Sequence, residues 1–260
     1  MKCVRSSLAV LVLAATAGTC LAQFSLNGFD PFKAVKDAGN FVKGVAGIGL
    51  KEENSIGGAV AIEIVARFGG VWKDAAATRR VNLIGKSLTR YCDRQELNFK
   101  FGLLNSETIN AFSAPGGYVF ITKGLYDLVG DNDDQLAGVL GHEITHVTQR
   151  HALKIIERGQ ALSGGLGVIS DATAAKNNNF SELSGVVNEV TTTLFEKGFD
   201  PKTEYAADKG GRALAAVTGY APGGLRATLI RLKMGSAGKT AVIFPTHPSL
   251  AKRIARLPEE

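Results

Sequence analysis

The chain is poor in cysteine, with three among its 260 residues: Cys3, Cys20 and Cys92. Cys3 and Cys20 lie in the first 22 residues, which have the features of a removable signal. Without that segment Cys92 has no partner, so an intramolecular disulfide is excluded. The fold must then be stabilised by a hydrophobic core, for which 45% apolar residues provide the material, or by a bound metal.

Long hydrophobic runs are also scarce. The run from Leu8 to Ala17 is too short for a transmembrane helix, which needs about 20 residues. It follows the basic residues Lys2 and Arg5 and precedes small residues up to Ala22, a pattern typical of a secretory signal peptide. We therefore predict an exported protein that is periplasmic, outer-membrane associated or secreted, with no membrane insertion beyond the signal peptide.

Cys20 leaves one alternative open, which is a lipid anchor of the lipoprotein type. The preceding Ala17-Gly18-Thr19 lacks the usual leucine and ends in threonine, so it is a poor lipoprotein signal. Cleavage after Ala22 by an ordinary signal peptidase is favoured, and a lipid anchor at Cys20 is the less favoured prediction.

A strong excess of one charge is absent as well. The formal net charge is +6, and two of the positive charges lie in the first 22 residues. The remaining chain is only mildly basic, and a solvated surface explains this better than nucleic-acid binding does. No nucleic-acid partner is predicted.

Hydrophobic periodicity predicts a mostly helical chain with one small sheet, so the predicted fold class is α+β. Helices are predicted at about 52–68, 74–91, 132–156, 181–197 and 202–217, with two short ones after 222 and 248. Strands are predicted at about 99–103, 109–112 and 118–122. Because their connections are short, we expect an antiparallel sheet. The composition of 159–180 predicts a mobile loop.

The sequence His142-Glu143-Ile144-Thr145-His146 lies inside the predicted helix 132–156. Residues four apart on a helix are separated by about 40°, so the two imidazoles can bind one metal ion. Glu143, about 100° from His142, can reach a water on that metal and act as its base. Zinc accepts nitrogen and oxygen ligands and acidifies such a water, so this pattern predicts a zinc hydrolase. The alternative is a helix that carries two histidines by chance.

The opposite face of this helix is apolar. Its residues lie about 120–200° from His142 and are predicted to face the core, which leaves the histidine face for a cleft; they are Leu136, Leu140, Ile144 and Val147. His151 would lie about 180° from His142 on a continuous helix. It is therefore predicted to be a structural histidine outside the metal site.

A third metal ligand is predicted on the helix at about 202–217. Glu204 can complete the set, and Asp208, one turn later, can accept a hydrogen bond from a metal-bound histidine. A solvated polar face is the alternative for this pair, but Ala206 and Ala207 favour close packing against another helix.

The last candidate residues are His247 and Arg253. Either side chain, near the metal, can stabilise the oxyanion that forms when water adds to a carbonyl. His247-Pro248 can equally be a helix start, and Arg253 can equally be the structural partner of a carboxylate.

These residues together resemble the family-48 metallopeptidases, a gluzincin group with the HExxH motif. Four blocks match in order, over about residues 50–260: Asn110 to Gly117, His142 to His151, Glu204 to Asp208, and His247-Pro248 with Arg253. Some members of that family have several membrane spans and others carry added helical repeats, and this sequence shows neither. The expected division is a signal peptide at 1–22, an N-terminal arm at 23–50 and a zinc metallopeptidase domain at 51–260.

The resemblance implies a mostly helical, zincin-like domain with a small antiparallel sheet bordering the active-site cleft. It implies one Zn²⁺ per chain, bound by His142, His146 and Glu204. Glu143 would be the catalytic acid/base, Asp208 would orient a ligand, and His247 and Arg253 would be catalytic residues near the metal.

The resemblance also implies that an edge strand formed by Gly117, Tyr118, Val119 and Phe120 pairs with an extended substrate. Because backbone pairing reads few side chains, the expected substrates are unfolded or misassembled envelope proteins. Two alternatives stay open: a chaperone-like protein that uses the same strand without hydrolysis, and a latent enzyme in which His247 is a fourth metal ligand. The segment 159–180 is either a lid over the cleft or a plain connector.

Overall fold

The structure is a computed structural model that describes residues 48–162, 179–235, 247 and 250–259. The predicted signal peptide, with Cys20, and the arm up to residue 47 lie outside the described residues. The helices and strands are, in chain order, α1 (Leu50–Arg67), α2 (Ala75–Thr89), β1 (Lys100–Leu104), β2 (Ala111–Ala114), β3 (Tyr118–Thr122), α3 (Lys123–Val129), α4 (Asp133–Thr148), α5 (His151–Leu162), α6 (Asn179–Thr192), α7 (Pro201–Thr218), α8 (Gly224–Gly235) and α9 (Leu250–Arg256).

This architecture confirms the α+β class, with helices dominating and one three-stranded sheet. Apart from the predicted helix at 132–156, which is two helices, the predicted helices and strands are present, with ends that differ by a few residues. The loop predicted at 159–180 is shorter at both ends, because 159–162 belong to α5 and 179–180 to α6. Its centre, 163–178, lies outside the described residues.

The sheet is mixed, and the prediction of an antiparallel sheet is wrong for one of its two strand pairs. The strand order is β1-β3-β2, with β1 parallel to β3 and β2 antiparallel to β3. After β1 the chain passes to the far side of the sheet to form β2. A tight turn at Pro115–Gly117 then brings β3 back between them. The prediction assumed that consecutive strands are neighbours, and β1 and β2 are not.

The sheet is covered on both faces, since successive residues of a strand point to opposite sides. Val119 and Ile121 of β3 belong to a hydrophobic cluster with α2, α4 and α8. Tyr118 and Phe120 belong to a second cluster with α1, α5 and α6. The sheet therefore lies between two cores and fixes the position of α4 from one side.

Helix α4 is the central helix of the fold. Asn132 caps it, accepting a hydrogen bond on Oδ1 from the backbone N–H of Gln135 at 2.9 Å, as the sequence predicted. The apolar face predicted from the sequence is buried, with Leu136, Leu140 and Ile144 fully inaccessible to solvent. The opposite face carries His142 and His146.

The prediction of one helix from 132 to about 156 is wrong. Helix α4 ends at Thr148, and α5 begins at His151 after Arg150 adopts a left-handed conformation with φ of 57°. The Arg150 guanidinium donates a hydrogen bond to the carbonyl of Ile48 at 2.7 Å. The break turns the chain, so His151 does not continue the helical spacing of α4.

Helices α4 and α7 pack with their backbones in close contact. A Cβ on Gly211 of α7 would lie 2.5 Å from the backbone nitrogen of His142, and one on Gly141 would lie 2.8 Å from the carbonyl oxygen of Gly211. Neither position has room for a side chain. Helix α7 begins at Pro201 and is capped by Asp200, whose side chain accepts from the N–H groups of Lys202 and Thr203. Glu204 therefore lies in the first turn of α7, beside α4.

Candidate metal centre

Four side chains from three parts of the chain converge beside α4. His142, His146, Glu204 and His247 each offer a ligand atom, and these atoms all lie within 4.8 Å of one another. The Nε2 atoms of His142 and His146 are 3.1 Å apart. The Glu204 oxygens lie 3.7 Å from Nε2 of His142 and 3.5 Å from Nε2 of His146. The group predicted to bind the metal is thus brought together by the fold.

The protonation of these groups fits a metal site. Burial, together with the neighbouring His142, lowers the pKa of His146 well below its usual value, so its ring is neutral. Burial by itself would raise the pKa of Glu204, but His247, His142 and Arg253 outweigh it and lower that pKa. Neutral imidazoles and an ionised carboxylate are the forms that bind metals, and two nitrogens with one oxygen are a donor set that suits zinc.

His142 is held from behind by Asp208. Its Nδ1 lies 3.0 Å from Asp208 Oδ1, which leaves Nε2 pointing into the cluster. Burial would raise the pKa of Asp208, but the hydrogen bonds from His142 and Arg253 hold that pKa well below its usual range. An ionised carboxylate in this place fixes the orientation of the imidazole ring.

Arg253 of α9 is buried and makes contacts with carboxylates. Its Nε donates to Asp208 Oδ2 at 2.9 Å and its Nη2 to Asp208 Oδ1 at 2.6 Å. Its Nη1 lies 3.3 Å from Glu204 Oε2. These contacts are those of a structural partner that holds two carboxylates, the second of the two roles considered for it. A direct role towards substrate stays a prediction.

His247 lies over Glu204. Its Nδ1 is 3.0 Å from Glu204 Oε1 and 2.9 Å from Oε2, and its Nε2 is 3.8 Å from Glu143 Oε1. Burial by itself would lower the pKa of His247, but the two carboxylates outweigh burial and raise that pKa. The position is compatible with both predicted roles, a fourth metal ligand and an oxyanion-stabilising group.

Glu143 has a partner that the sequence analysis missed. Ser113 of β2 donates a hydrogen bond from Oγ to Glu143 Oε2 at 2.7 Å. The signal for it was present: Ser113 is a polar residue in an otherwise apolar strand, and it shares a strand face with Ala111, which packs in the core with α4. Phe112, on the other face, packs against Phe68 and Phe195.

His151 was predicted to be a structural histidine outside the metal site; it is not among the possible ligands of the cluster, but it contacts one of them from behind. Its Nδ1 lies 3.0 Å from Nδ1 of His146. The prediction used the spacing of a continuous helix, and the break at Arg150 invalidates that spacing. Phe199, just before α7, stacks on the other side of the His146 ring with centroids 4.5 Å apart.

The predicted substrate-binding strand is not an edge strand. Tyr118, Val119 and Phe120 belong to β3, which pairs with β1 on one side and with β2 on the other. Gly117 lies in the preceding turn, with φ of 92°, packed against Phe99. The edge-strand prediction for these four residues is therefore wrong. Within the part of the chain that the structure describes, the edges of the sheet are β1 and β2.

The described helices give no sign of a membrane span, since none of them combines the length and the apolar character that crossing requires.

Comparison with known proteins identifies the family. The family model "Peptidase family M48" matches residues 75–260. Curated relatives include the β-barrel assembly-enhancing protease of Escherichia coli K12, which is 30% identical over 70% of this chain and 38% of the relative. The metalloprotease LoiP of the same organism is 26% identical over 67% of each chain. Its metalloprotease YcaL is 25% identical over 87% of this chain and 82% of the relative.

The chain therefore spans well under half the length of the first of these relatives, although the alignment covers most of this chain. The family match at residues 75–260 contains both glycine-packed helices, α4 and α7, and every residue of the metal cluster. With a family match over more than half of its length and a donor set that suits zinc, the chain belongs to Peptidase family M48, the zinc metallopeptidases.

Proposed function

We propose that the chain is a zinc-dependent metalloendopeptidase. The observation that carries the proposal is the convergence of two imidazoles, one ionised carboxylate and Glu143 beside one face of α4. His142, His146 and Glu204 hold one zinc ion in this proposal. When bound, zinc acts as a Lewis acid that polarises a peptide carbonyl and acidifies water.

Glu143 is the proposed acid/base. Its Oε2 accepts the hydrogen bond from Ser113, so the other oxygen, Oε1, is the one available to take a proton from the attacking water. The same oxygen then delivers that proton to the amine nitrogen that leaves the cleaved peptide bond. Ser113 keeps the carboxylate in one orientation through both transfers.

The residues around this set hold or complement it. Asp208 orients His142, and Arg253 neutralises the charges of Asp208 and Glu204, whose burial without a cation would be costly. His247 lies between Glu204 and Glu143, and its pKa is raised. It is either a positively charged hydrogen-bond donor beside the reacting carbonyl or a fourth metal ligand that blocks access to the metal. These two roles predict opposite effects of removing the side chain.

Strand β2 is the proposed substrate-pairing edge, in place of β3. Among the described residues it has a strand neighbour on one side only, and Ser113 places it next to Glu143. Ser113 and Ala114 also border a small cavity of about 10 Å³ whose wall includes His146. An extended peptide paired with β2 would pass beside the metal ligands with its backbone oriented.

The proposed substrates are unfolded or misassembled proteins of the cell envelope. Pairing through the backbone favours extended, unfolded segments over any particular sequence. The signal-like start of the chain supports export to the periplasm. The similarity to a protein named β-barrel assembly-enhancing protease is consistent with an envelope substrate.

The test is digestion of an unfolded model protein by the purified chain without residues 1–22. Wild type is compared with Glu143→Gln, each with and without a chelator, and the zinc content of every sample is measured. We expect cleavage by zinc-loaded wild type alone, with Glu143→Gln still binding zinc. Zinc-loaded wild type without cleavage, together with His247→Ala without cleavage, contradicts the proposal. Equal rescue of a deletion strain by wild type and Glu143→Gln would instead support the chaperone-like alternative.

A further inference from the structure

His146 is contacted by side chains on the side away from the metal cluster. Its Nδ1 lies 3.0 Å from Nδ1 of His151, and Nε2 of His151 lies 3.1 Å from Oε1 of Gln149. Phe199 stacks against the ring with an interplanar angle of 22°. His151 is itself buried, so water does not compete readily for these hydrogen bonds.

This chain of contacts fixes where each proton lies. The Gln149 Oε1 atom is an acceptor, so Nε2 of His151 must carry a hydrogen to bond with it. A neutral His151 then has an unprotonated Nδ1, which accepts a hydrogen bond from Nδ1–H of His146. Because a neutral imidazole carries one proton, Nε2 of His146 is left with its lone pair facing the cluster.

The two histidines of the cluster are therefore held by different chemistry. His142 is backed by the ionised carboxylate of Asp208 at 3.0 Å, whereas His146 is backed by an uncharged imidazole. A carboxylate partner fixes the tautomer of a ligand and also makes it more basic. A neutral imidazole fixes the tautomer without adding another negative charge to a site that already contains Glu143, Glu204 and Asp208.

The break between α4 and α5 makes the contact possible. On a continuous helix His146 and His151 would point about 140° apart. The left-handed conformation of Arg150, with φ of 57°, turns α5 so that the two rings meet edge to face with centroids 4.9 Å apart. A non-glycine residue in this conformation carries strain of about 1 kcal/mol or more, which the contacts made by α5 must offset.

We infer that His151 is a positioning residue for the metal site, which sets the tautomer and orientation of His146 through the Nδ1–Nδ1 hydrogen bond. The inference rests on the proposed zinc site, but it does not depend on which substrate is cleaved or on whether cleavage occurs. It assigns a function to a histidine that is not itself among the possible metal ligands and contacts one of them from behind.

The test measures zinc affinity by competition with a fluorescent chelator, using the chain without residues 1–22. The variants are His151→Phe, which removes the acceptor, and His151→Asn, whose side-chain carbonyl can still accept from His146. Lys86→Ala, at an exposed position of α2, is the control. We expect His151→Phe to weaken zinc binding by about 10–100-fold and His151→Asn to recover much of that loss, with the control unchanged.

A second measurement needs no zinc. Nitrogen-15 NMR of the chelator-treated protein reports which ring nitrogen of His146 carries the proton. Wild type and His151→Asn should show His146 protonated on Nδ1, and His151→Phe should show a mixture of tautomers. Folded His151→Phe protein that binds zinc within twofold of wild type and keeps the Nδ1 tautomer overturns the inference. So does equal weakening by the Phe and Asn variants with unchanged tautomers, because it indicates packing alone. If wild type and His247→Ala both bind zinc but cleave nothing, the proposed function is contradicted and this inference still stands.

Discussion

Each side chain that faces the cluster on α4 has another side chain behind it. Asp208 lies behind His142, His151 behind His146, and Ser113 beside Glu143. These second contacts come from three different elements, α7, α5 and β2. A reactive group held in this way loses little freedom when substrate binds, which is how a rigid scaffold aids catalysis.

Ser113 offers a direct test of this arrangement. Ser113→Ala removes the hydrogen bond to Glu143 Oε2, and a hydrogen bond to a charged group contributes about 1.5–3 kcal/mol. We expect kcat to fall by at least about tenfold, with zinc content and KM little changed. Peptidase kinetics on a fluorogenic peptide measure this. Ser113→Thr, which keeps a hydroxyl, should retain most of the activity; a kcat within twofold of wild type for Ser113→Ala contradicts the role.

His247 distinguishes latency from catalysis. Because its Nδ1 contacts both oxygens of Glu204 at the mouth of the cluster, we expect His247→Ala to open the site and raise basal proteolysis. Digestion of an unfolded protein at equal enzyme and zinc concentrations measures the change. A fall of about 100-fold or more would instead assign His247 to stabilising the oxyanion. His247→Gln, which keeps a hydrogen-bond donor, separates loss of charge from loss of the side chain.

At the scale of elements, the site depends on how closely α4 and α7 approach. Gly141 and Gly211 meet where the helices cross, and Gly210 lies against Thr145. Glycine costs a helix about 1 kcal/mol relative to alanine, so its presence at a crossing indicates that space is the constraint. The close approach places the carboxylate oxygens of Glu204 on α7 3.7 Å from Nε2 of His142 and 3.5 Å from Nε2 of His146 on α4.

Gly211→Ala tests the helix spacing. The added Cβ would lie 2.5 Å from the nitrogen of His142, so the helices must move apart. We expect a loss of about 1–3 kcal/mol in the free energy of unfolding, and a zinc affinity weaker by at least tenfold. Urea unfolding and chelator competition measure the two effects.

The matched control is Gly185→Ala in α6. Nothing lies within 4 Å of a Cβ at that position. This variant should be more stable than wild type by about 0.5–1 kcal/mol, because alanine is the better helix former. Equal zinc affinity in wild type and Gly211→Ala would show that helix spacing does not set the site.

At the scale of the whole molecule, the metal site lies where the two hydrophobic clusters meet. Helix α4 contributes to the cluster on one side of the sheet, and α5 and Phe199 contribute to the cluster on the other. His142 and His151 therefore belong to helices that different cores hold in place. Within the described residues, a metal bound by His142, His146 and Glu204 would connect side chains of α4 and α7.

Zinc should consequently stabilise the fold. A ligand present at about 100 times its Kd adds about 2.7 kcal/mol, which for a domain of this size corresponds to a rise in Tm of roughly 5–10 °C. Calorimetry with zinc and with a chelator measures the shift. Glu143→Gln should show the same shift as wild type, and His146→Ala should lose most of it. Equal Tm values for wild type with zinc and with chelator contradict the prediction.

The agreement between sequence and structure differs with the range of the contacts involved. The helix carrying His142 and His146, its buried face and its Asn132 cap were predicted, because they depend on residues within a few positions of one another. The strand order was not predicted, because β1 pairs with β3 although β2 lies between them in the sequence. The contact between His151 and His146 was not predicted for a related reason: the left-handed Arg150 is held by long-range packing and by a hydrogen bond to Ile48.

The sequence by itself determined the chemistry of this protein: two histidines and a glutamate at helical spacing, the acidic pair Glu204 and Asp208 on another helix, and the match to a zinc peptidase family. These follow from residue type and local periodicity, which can be read from the sequence. Only the tertiary structure decided which groups support them, namely Ser113, His151 and the glycine contact between α4 and α7. Such contacts join residues far apart along the chain or across a break, where no periodicity relates them, and packing of the whole fold sets their distances.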